Sequence, residues 1–316
     1  MPLIQNIQRT SKYLYLINYI YNQEQLAKLE VQSIFEQKID DKYYLTNQKI
    51  DLDRSIYIRG YIQIIYQSNT VEEIEQLIHL NHVSFEKYKI KYLRTQEHVE
   101  YNEWLNALKI LGTAITGEFS LHNPEVELAV SKINNTWVFG YHIRNHDIWK
   151  NRIHKLHNYS NALEVKLSKS LINIAINNDF SLKVIDPCCG IGTVFTEGVA
   201  MGVDITGYDI NSNVISHANE NLKYLGFDKK VSCKDMFTIT DNYDVAILDI
   251  PYGQFSLTSS KNQKDLIIQT RKISKKAIFI SMDDMSSIYK ECGFSILEQV
   301  TLPKSNSFKR HITICQ

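Results

Sequence analysis

Short apolar runs alternate with stretches of helical spacing throughout the second half of the chain, and this alternation constrains the fold more than any other feature. Runs at 184–185, 204–208, 230–233, 244–248 and 277–281 have the composition of buried strands. A helix is predicted at 162–176, and two further strands, at 294–300 and 311–315, close the pattern. Regular alternation of this kind predicts an α/β fold with an open, mostly parallel sheet.

The first half of the chain predicts an α+β organisation. Strand-like segments at 13–19, 55–66 and 88–92 are interspersed with helical segments at 24–35, 71–80 and 99–111, and a turn at 123–124 precedes another strand. Because 316 residues exceed the usual size of one domain, we predict several. The predicted divisions are an α+β domain at 1–80, a second region at 81–145, a linker at 146–160 and the sheet domain at 161–316.

The charge of the chain is balanced overall but not locally. Lysine and arginine together number 35, as do aspartate and glutamate, so there is no net charge to attract nucleic acid. Between residues 142 and 157, by contrast, Asp147 is the only acid beside four cations, which are Arg144, Lys150, Arg152 and Lys155. Two interpretations of this stretch stay open, a solvated interdomain linker and a segment that contacts phosphates.

The remaining totals indicate a cytoplasmic protein with reduced thiols. No apolar run approaches the roughly 18 residues that a membrane span needs, and the N-terminus lacks the pattern of a signal peptide. The five cysteines include no Cys-x-x-Cys pair. This argues against a disulfide framework or a structural zinc site, and we predict no metal.

The segment Asp186-Pro187-Cys188-Cys189-Gly190-Ile191-Gly192-Thr193 directly follows an apolar strand. Gly190 and Gly192 would allow backbone amides at a helix N-terminus to approach a ligand without an intervening side chain. Asp209 ends the next strand about 20 residues later, the spacing expected of an acid that binds ribose hydroxyls. The segment therefore predicts a nucleotide-like cofactor.

S-adenosyl-L-methionine fits this turn better than a nicotinamide dinucleotide, because the Gly-x-Gly-x-x-Gly pattern is missing. Its amino-acid end and its sulfonium suit the carboxylate of Asp186. Asp235 and Met236, after the third strand, are positioned to contact the adenine, with capping of its own loop as the alternative role for Asp235. Cys188 and Cys189 are predicted to fill the turn without taking part in catalysis.

A second polar turn, Asp249-Ile250-Pro251-Tyr252, ends the strand at 244–248. An exocyclic amine is a poor nucleophile because its lone pair is delocalised into the ring. The Asp249 carboxylate and the Ile250 carbonyl could draw the amino hydrogens, and Tyr252 could stack on the base. Pro251 would fix the turn. An ordinary strand-ending turn is the alternative, but together the two turns predict methyl transfer to a planar amine.

These segments resemble the amino-methyltransferases, and more narrowly the archaeal and eukaryotic tRNA guanosine-10 2-amino methyltransferases. The family motif Asp-Pro-x-Cys-Gly-x-Gly-Thr is matched throughout at 186–193. The motif Asp-Pro-Pro-Tyr-Gly is matched at 249–253 except that Ile250 replaces the first proline. The resemblance implies a Rossmann-like class I methyltransferase sheet preceded by a ferredoxin-like and a THUMP-like region, and 121–125 is similar to the end of a THUMP domain.

The resemblance also implies the residues of the site. The catalytic set is Asp249, Ile250, Pro251 and Tyr252, and the cofactor-binding set is Asp186, Cys188, Gly190, Gly192, Thr193, Asp209, Ile210, Asp235 and Met236. Residues that could guide an RNA backbone, with a solvated loop as the alternative for each, are Lys304, Ser307, Lys309 and Arg310.

The implied substrate is tRNA, with the target guanine extruded from its stack, and some relatives need an activating protein subunit. Two alternatives stay open. One is methylation of an adenine 6-amino group in RNA or DNA, and the other is a catalytically silent RNA-binding protein.

Overall fold

The computed structural model describes residues 12–251, 260–305 and 308–316. The strands are β1 (Tyr13–Ile17), β2 (Tyr43–Thr46), β3 (Ile58–Ser68), β4 (Ser84–Tyr92), β5 (Thr116–Phe119), β6 (Val126–Ile133), β7 (Thr136–Arg144), β8 (Lys183–Asp186), β9 (Asp204–Asp209), β10 (Ser232–Cys233), β11 (Tyr243–Asp249), β12 (Ser274–Ser281), β13 (Ile296–Ser305) and β14 (Phe308–Cys315). The helices are α1 (Glu24–Phe35), α2 (Val71–Leu80), α3 (Tyr101–Ala114), α4 (Val165–Ile176), α5 (Thr193–Ala200), α6 (Ser212–Tyr224), α7 (Ser260–Ile273) and α8 (Ser286–Glu291). Across these described ranges, none of the helices combines the length and the apolar character of a membrane span.

The chain divides into two compact units, and each unit is built from separate stretches of sequence. Unit 1 comprises the described residues up to Asn18 together with Ile39–Leu52 and Tyr57–His146. Unit 2 comprises Tyr19–Lys38, Asp53–Ile56 and Asp147–Gln316. Each unit contains one seven-stranded sheet.

Unit 1 has the strand order β2-β1-β3-β7-β6-β4-β5. The antiparallel pairing of β3 with β7 places strands from the predicted regions 1–80 and 81–145 in one continuous sheet. Helix α2 turns Val71, Ile74 and Ile78 inward at helical spacing, and they share a core with residues of α3, β4 and β7. The α+β character predicted for the first half is confirmed, but its two predicted regions do not have separate sheets.

Unit 2 has the strand order β10-β9-β8-β11-β12-β14-β13. Strands β8 to β12 pair in parallel, and β14 lies antiparallel between β12 and β13. This is the doubly wound order with one antiparallel strand inserted near its edge, so the predicted Rossmann-like α/β fold is confirmed. The order reverses between β8 and β11, where the strand ends open a crevice that can receive a ligand.

Helix α1 belongs to unit 2 although it lies near the start of the chain. It packs against α4 and β13. Its Glu30 is fully buried, and the carboxylate accepts hydrogen bonds from the hydroxyls of Ser55 (2.6 Å) and Ser170 and from the N–H of Ile56 (3.2 Å). Burial raises the pKa of Glu30 above its usual value, and the hydrogen bonds oppose this shift.

Candidate active site

The turn after β8 is shaped by two glycines with left-handed backbone conformations. Gly190 and Gly192 have φ angles of +52° and +74°, which residues with a side chain rarely adopt. The N–H of Gly190 donates to Asp209 Oδ2 at 3.0 Å, and Gly192 is the N-cap residue of α5. A Cβ atom added at Gly190 would meet nothing within 4 Å. Open space therefore adjoins the backbone where the cofactor is predicted to bind.

Asp209 connects this turn to the start of α6. Its Oδ1 accepts from the N–H of Asn211 at 2.9 Å, while its Oδ2 accepts from Gly190. Asn211 in turn caps α6 by accepting from the N–H groups of Asn213 and Val214. Each carboxylate oxygen keeps a further lone pair, so the predicted bonds from ribose hydroxyls are compatible with these contacts.

Three carboxylates converge at the ends of β8, β9 and β11. Asp186 is only 4% exposed. Burial, together with the negative charges of Asp209 and Asp249, raises the pKa of Asp186 well above its usual value. A cationic ligand would relieve this repulsion, and both the sulfonium and the ammonium group of S-adenosylmethionine are cationic.

The two cysteines of the turn are unsuited to catalysis. Burial raises the pKa of both Cys188 and Cys189, and the neighbouring aspartates add to the effect. A thiol must ionise to act as a nucleophile, and here the ionised form is disfavoured. This supports the prediction that both residues fill the turn.

The second turn is anchored to its surroundings on both sides. The N–H of Ile250 donates to the carbonyl of Ile280 at 2.8 Å, and the side chain of Ile250 is 1% exposed within the core of unit 2. Gln263 of α7 donates to the carbonyl of Pro251 at 3.0 Å. Proline at position 250 could not donate the first of these hydrogen bonds. The turn is thus held by a strand and by a helix.

Some predicted residues cannot be placed. Tyr252 and Ser307 lie outside the described residues, and the side chain of Lys304 does too. Of the other residues predicted to guide RNA, Lys309 is exposed, whereas Arg310 is only 4% exposed. The expectation that Arg310 is available to an RNA backbone is not supported, because its side chain is buried.

A cavity of about 290 Å³ brings the two turns together. The predicted residues that line it are Asp186, Cys188, Gly190, Thr193, Asp209, Asp249, Ile250 and Pro251. Members of the cofactor-binding set and of the catalytic set thus face one space. A methyl donor and an acceptor amine could meet there, as the proposed chemistry requires.

The predicted adenine contacts lie outside the lining of this cavity. Met236 is 4% exposed, and its sulfur lies 3.7 Å from the sulfur of Cys188. The Asp235 carboxylate accepts from the N–H of Phe237 at 2.9 Å, which is the loop-capping alternative. Ile210 is 70% exposed. Contact of Asp235 and Met236 with an adenine stays a prediction, as does cofactor binding by Ile210.

The segment predicted as a linker contributes to the site. Tyr159 of this segment lines the cavity, and so do Asn161 and Leu163 directly after it. The backbone of His157 is bound at both ends by the Asn221 side chain, whose oxygen accepts from its N–H (2.9 Å) and whose amide donates to its carbonyl (3.0 Å). Asn221 is a buried amide within the amphipathic helix α6, and a buried amide needs hydrogen-bond partners. This residue is the one sequence signal that could have indicated that another segment of the chain packs against α6.

The cations of this basic stretch are engaged within the protein. Arg152 donates from Nε and Nη2 to the two oxygens of the buried Glu197, at 2.7 and 2.6 Å. Lys150 pairs with Asp147 at 2.7 Å. Lys155 donates from Nζ to the Thr193 hydroxyl. These contacts favour neither a solvated linker nor a free phosphate-binding segment.

Comparison with known proteins places a family match over the same region. Residues 152–280 match the family described as UPF0020: RMKL-like, methyltransferase domain. Over 111 residues, the chain is 27% identical to a tRNA (guanine(10)-N2)-dimethyltransferase of Methanothermobacter thermautotrophicus, and the match covers 34% of this chain and 33% of that protein. The chain therefore spans about a third of the length of this curated relative.

Solved structures with similar folds include two other proteins. TrmN from Thermus thermophilus is 12% identical with a TM-score of 0.48, and the match covers 96% of this chain and 99% of that one. The magnesium protoporphyrin IX methyltransferase (ChlM) from Synechocystis PCC 6803, solved with bound SAM, is 14% identical with a TM-score of 0.43. That match covers 53% of this chain and 89% of the other.

The cavity has the features that S-adenosyl-L-methionine requires. Its carboxylates suit the cationic groups of the cofactor, Asp209 lines it as the ribose prediction requires, and the backbone at Gly190 adjoins open space. Residues 152–280 match a methyltransferase domain of the RMKL-like type, and S-adenosyl-L-methionine is the cofactor.

Proposed function

We propose that this protein methylates the exocyclic 2-amino group of a guanosine in tRNA. The observation that carries the proposal is the cavity shared by the two turns, in which Asp249 and Ile250 lie beside Asp186, Gly190 and Asp209. The acceptor turn thereby adjoins the place where the methyl donor binds.

When bound, the cofactor supplies a methyl group on a positively charged sulfur. The Asp249 carboxylate and the Ile250 carbonyl accept hydrogen bonds from the amino hydrogens, which turns the nitrogen lone pair toward the methyl group. A nitrogen–carbon bond forms as the sulfur–carbon bond breaks, and the electron pair of the broken bond stays on sulfur. The nitrogen then loses a proton, and Asp249 accepts it.

Two features support tRNA as the substrate. The curated relative is named as a tRNA (guanine(10)-N2)-dimethyltransferase. The N-terminal half, in addition, has the α+β character that the resemblance expects of a ferredoxin-like and a THUMP-like region. We propose that unit 1 binds the tRNA while unit 2 receives the extruded base, at an unstacking cost of a few kcal/mol.

The test uses the purified 316-residue chain with unmodified tRNA transcripts and S-adenosylmethionine carrying a labelled methyl group. We expect digestion to nucleosides followed by mass spectrometry to show labelled 2-methylguanosine or 2,2-dimethylguanosine. The test variant, Asp249→Asn, keeps the size of the side chain but removes its charge. It should lower turnover about 10²–10⁴-fold, because the base that accepts the proton is lost, and it should weaken cofactor binding far less, because Asp186 and Asp209 remain.

Other outcomes distinguish the alternatives. Label in 6-methyladenosine with none in methylated guanosine would replace the guanine assignment by the adenine one. No transfer to any nucleic acid, by protein that is folded and does not bind the cofactor, would support the silent RNA-binding protein. Full turnover by Asp249→Asn would remove Asp249 from its role.

A further inference from the structure

A group of buried charges lies at α5, outside the residues that the sequence motifs indicate. Lys155 Nζ donates to the Thr193 hydroxyl at 2.9 Å. Thr193 is the first residue of α5 and lines the cofactor cavity. The Lys155 ammonium is thus one hydrogen bond away from a wall of the site.

Glu197, the acidic neighbour of Lys155, is shared with other cations. Glu197 attracts Lys155, but both of its oxygens are already bound by Arg152. Lys169, which is 2% exposed, is a third cation within the field of Glu197, and the acids Glu30 and Asp53 attract it as well. Burial lowers the pKa of Lys155 to about 8, and the attraction of Glu197 only partly opposes this shift. A partly desolvated ammonium of this kind is stabilised by a further anion.

The charges around the cavity are complementary to an α-amino acid. Carboxylates of Asp186, Asp209 and Asp249 gather at the strand ends and suit an ammonium and a sulfonium. Lys155 provides the opposite charge at the start of α5, where N–H groups of the first turn also favour an anion. The amino-acid end of S-adenosylmethionine carries its ammonium and its carboxylate on one carbon.

We propose that Lys155, together with the Thr193 hydroxyl, binds the carboxylate of the methionine part of S-adenosylmethionine. Three donors are available on a lysine ammonium, and the bond to Thr193 uses one. The inference rests on the cofactor and not on the proposed guanine acceptor. It gives the segment predicted as a linker a role in cofactor binding.

The test compares S-adenosylmethionine with its decarboxylated analogue, which lacks only the carboxylate. Affinities are measured by titration calorimetry without RNA, so failure of the guanine assignment cannot affect them. The Lys155→Met variant keeps the aliphatic stem and removes the charge. Lys150→Met is the matched control, because Lys150 is a neighbouring lysine that pairs with Asp147 and is 56% exposed.

We expect Lys155→Met to weaken S-adenosylmethionine about 30-fold, equivalent to about 2 kcal/mol, while changing affinity for the analogue less than about twofold. Lys150→Met should change neither affinity. Lys155→Arg should recover part of the loss, since it restores a cation. Equal weakening of both ligands by Lys155→Met, or no weakening, would overturn the proposal.

A second measurement uses the unaltered protein and holds even where the variant fails to fold. The wild type should bind S-adenosylmethionine at least about tenfold more tightly than the decarboxylated analogue, because the analogue leaves Lys155 without its anion. Equal affinity of the wild type for both ligands would contradict a carboxylate-binding role for Lys155.

Discussion

Ile250 stands where the family motif has proline, and its surroundings explain how the turn accommodates the change. Its N–H bonds the Ile280 carbonyl, and its side chain fills part of the core. Ile250→Pro would lose both contacts but keep the backbone carbonyl that the proposed mechanism uses. We expect the free energy of unfolding to fall by about 1–3 kcal/mol, with turnover per folded molecule within a few-fold of the wild type.

Urea denaturation and initial rates, corrected for the folded fraction, measure these two effects separately. Ile250→Val is the control, since it keeps the N–H and removes one methylene, at a cost of about 0.5–1.5 kcal/mol. A proline variant as stable as the wild type would show that the bond to Ile280 contributes nothing. Complete loss of turnover in folded Ile250→Pro would show that the backbone carbonyl alone is insufficient.

Asp186 should make cofactor binding depend on pH. Because its pKa is raised, Asp186 takes up a proton at a higher pH than an ordinary aspartate does. Protonation of Asp186 removes one negative charge from the cavity. Affinity for the cationic S-adenosylmethionine should therefore rise as the pH increases through a range above that in which an ordinary aspartate loses its proton. Calorimetry across this range gives the measurement, and Asp186→Asn should flatten the rise. An affinity that is independent of pH in the wild type would contradict this expectation.

The same raised pKa has the opposite consequence for stability. A folded-state pKa above the unfolded one means that protonated Asp186 favours the fold, and this contribution is lost as the pH rises through the raised value. A higher pH, which favours cofactor binding, thus destabilises the unliganded site through repulsion among the carboxylates. Bound cofactor offsets that destabilisation because its positive charges neutralise the repulsion among the carboxylates.

At the scale of elements, regular helices were the easiest to predict. Helices α1 and α2 occur at the predicted bounds, 24–35 and 71–80, because apolar residues recur at helical spacing and face one core. Strand β5 was missed because all four of its residues are exposed, which leaves no alternation in the sequence. Strand β7 was missed because its last residues belong to the basic stretch, which was interpreted by charge alone.

The residues of the candidate site also fall into those that the sequence could predict and those that it could not. Both turns could be predicted because each follows a buried strand, and parallel strands deliver their ends to one edge of the sheet. Lys155 and Tyr159 could not, because their positions depend on contacts between residues far apart in sequence. Arg152 meets Glu197 across 45 positions, and His157 meets Asn221 across 64. The composition of a short stretch of sequence does not indicate which distant residue will be its partner.

At the scale of the whole molecule, the methyltransferase unit does not coincide with a continuous stretch of sequence. The predicted sheet domain, 161–316, omits Tyr19–Lys38 and Asp53–Ile56, which belong to unit 2. Helix α1 buries Leu26, Val31 and Ile34 within this unit, and its Glu30 accepts from the Ser170 hydroxyl of α4. A domain boundary at the predicted linker, 146–160, would therefore separate α4 from α1, against which it packs.

A chain truncated to 147–316 should accordingly fold poorly, because it exposes the apolar face of α4 and leaves the Ser170 hydroxyl without Glu30. We expect aggregation in size-exclusion chromatography, or a thermal transition by circular dichroism that is broad and lower than that of the full chain. Joining 19–38 to this chain through a glycine-serine linker should restore a cooperative transition and binding of S-adenosylmethionine. The same fusion with Leu26→Asp and Ile34→Asp is the control and should not restore either. Full stability and cofactor binding by 147–316 alone would show that α1 is dispensable, and that the buried contacts of Glu30 contribute little to the methyltransferase unit.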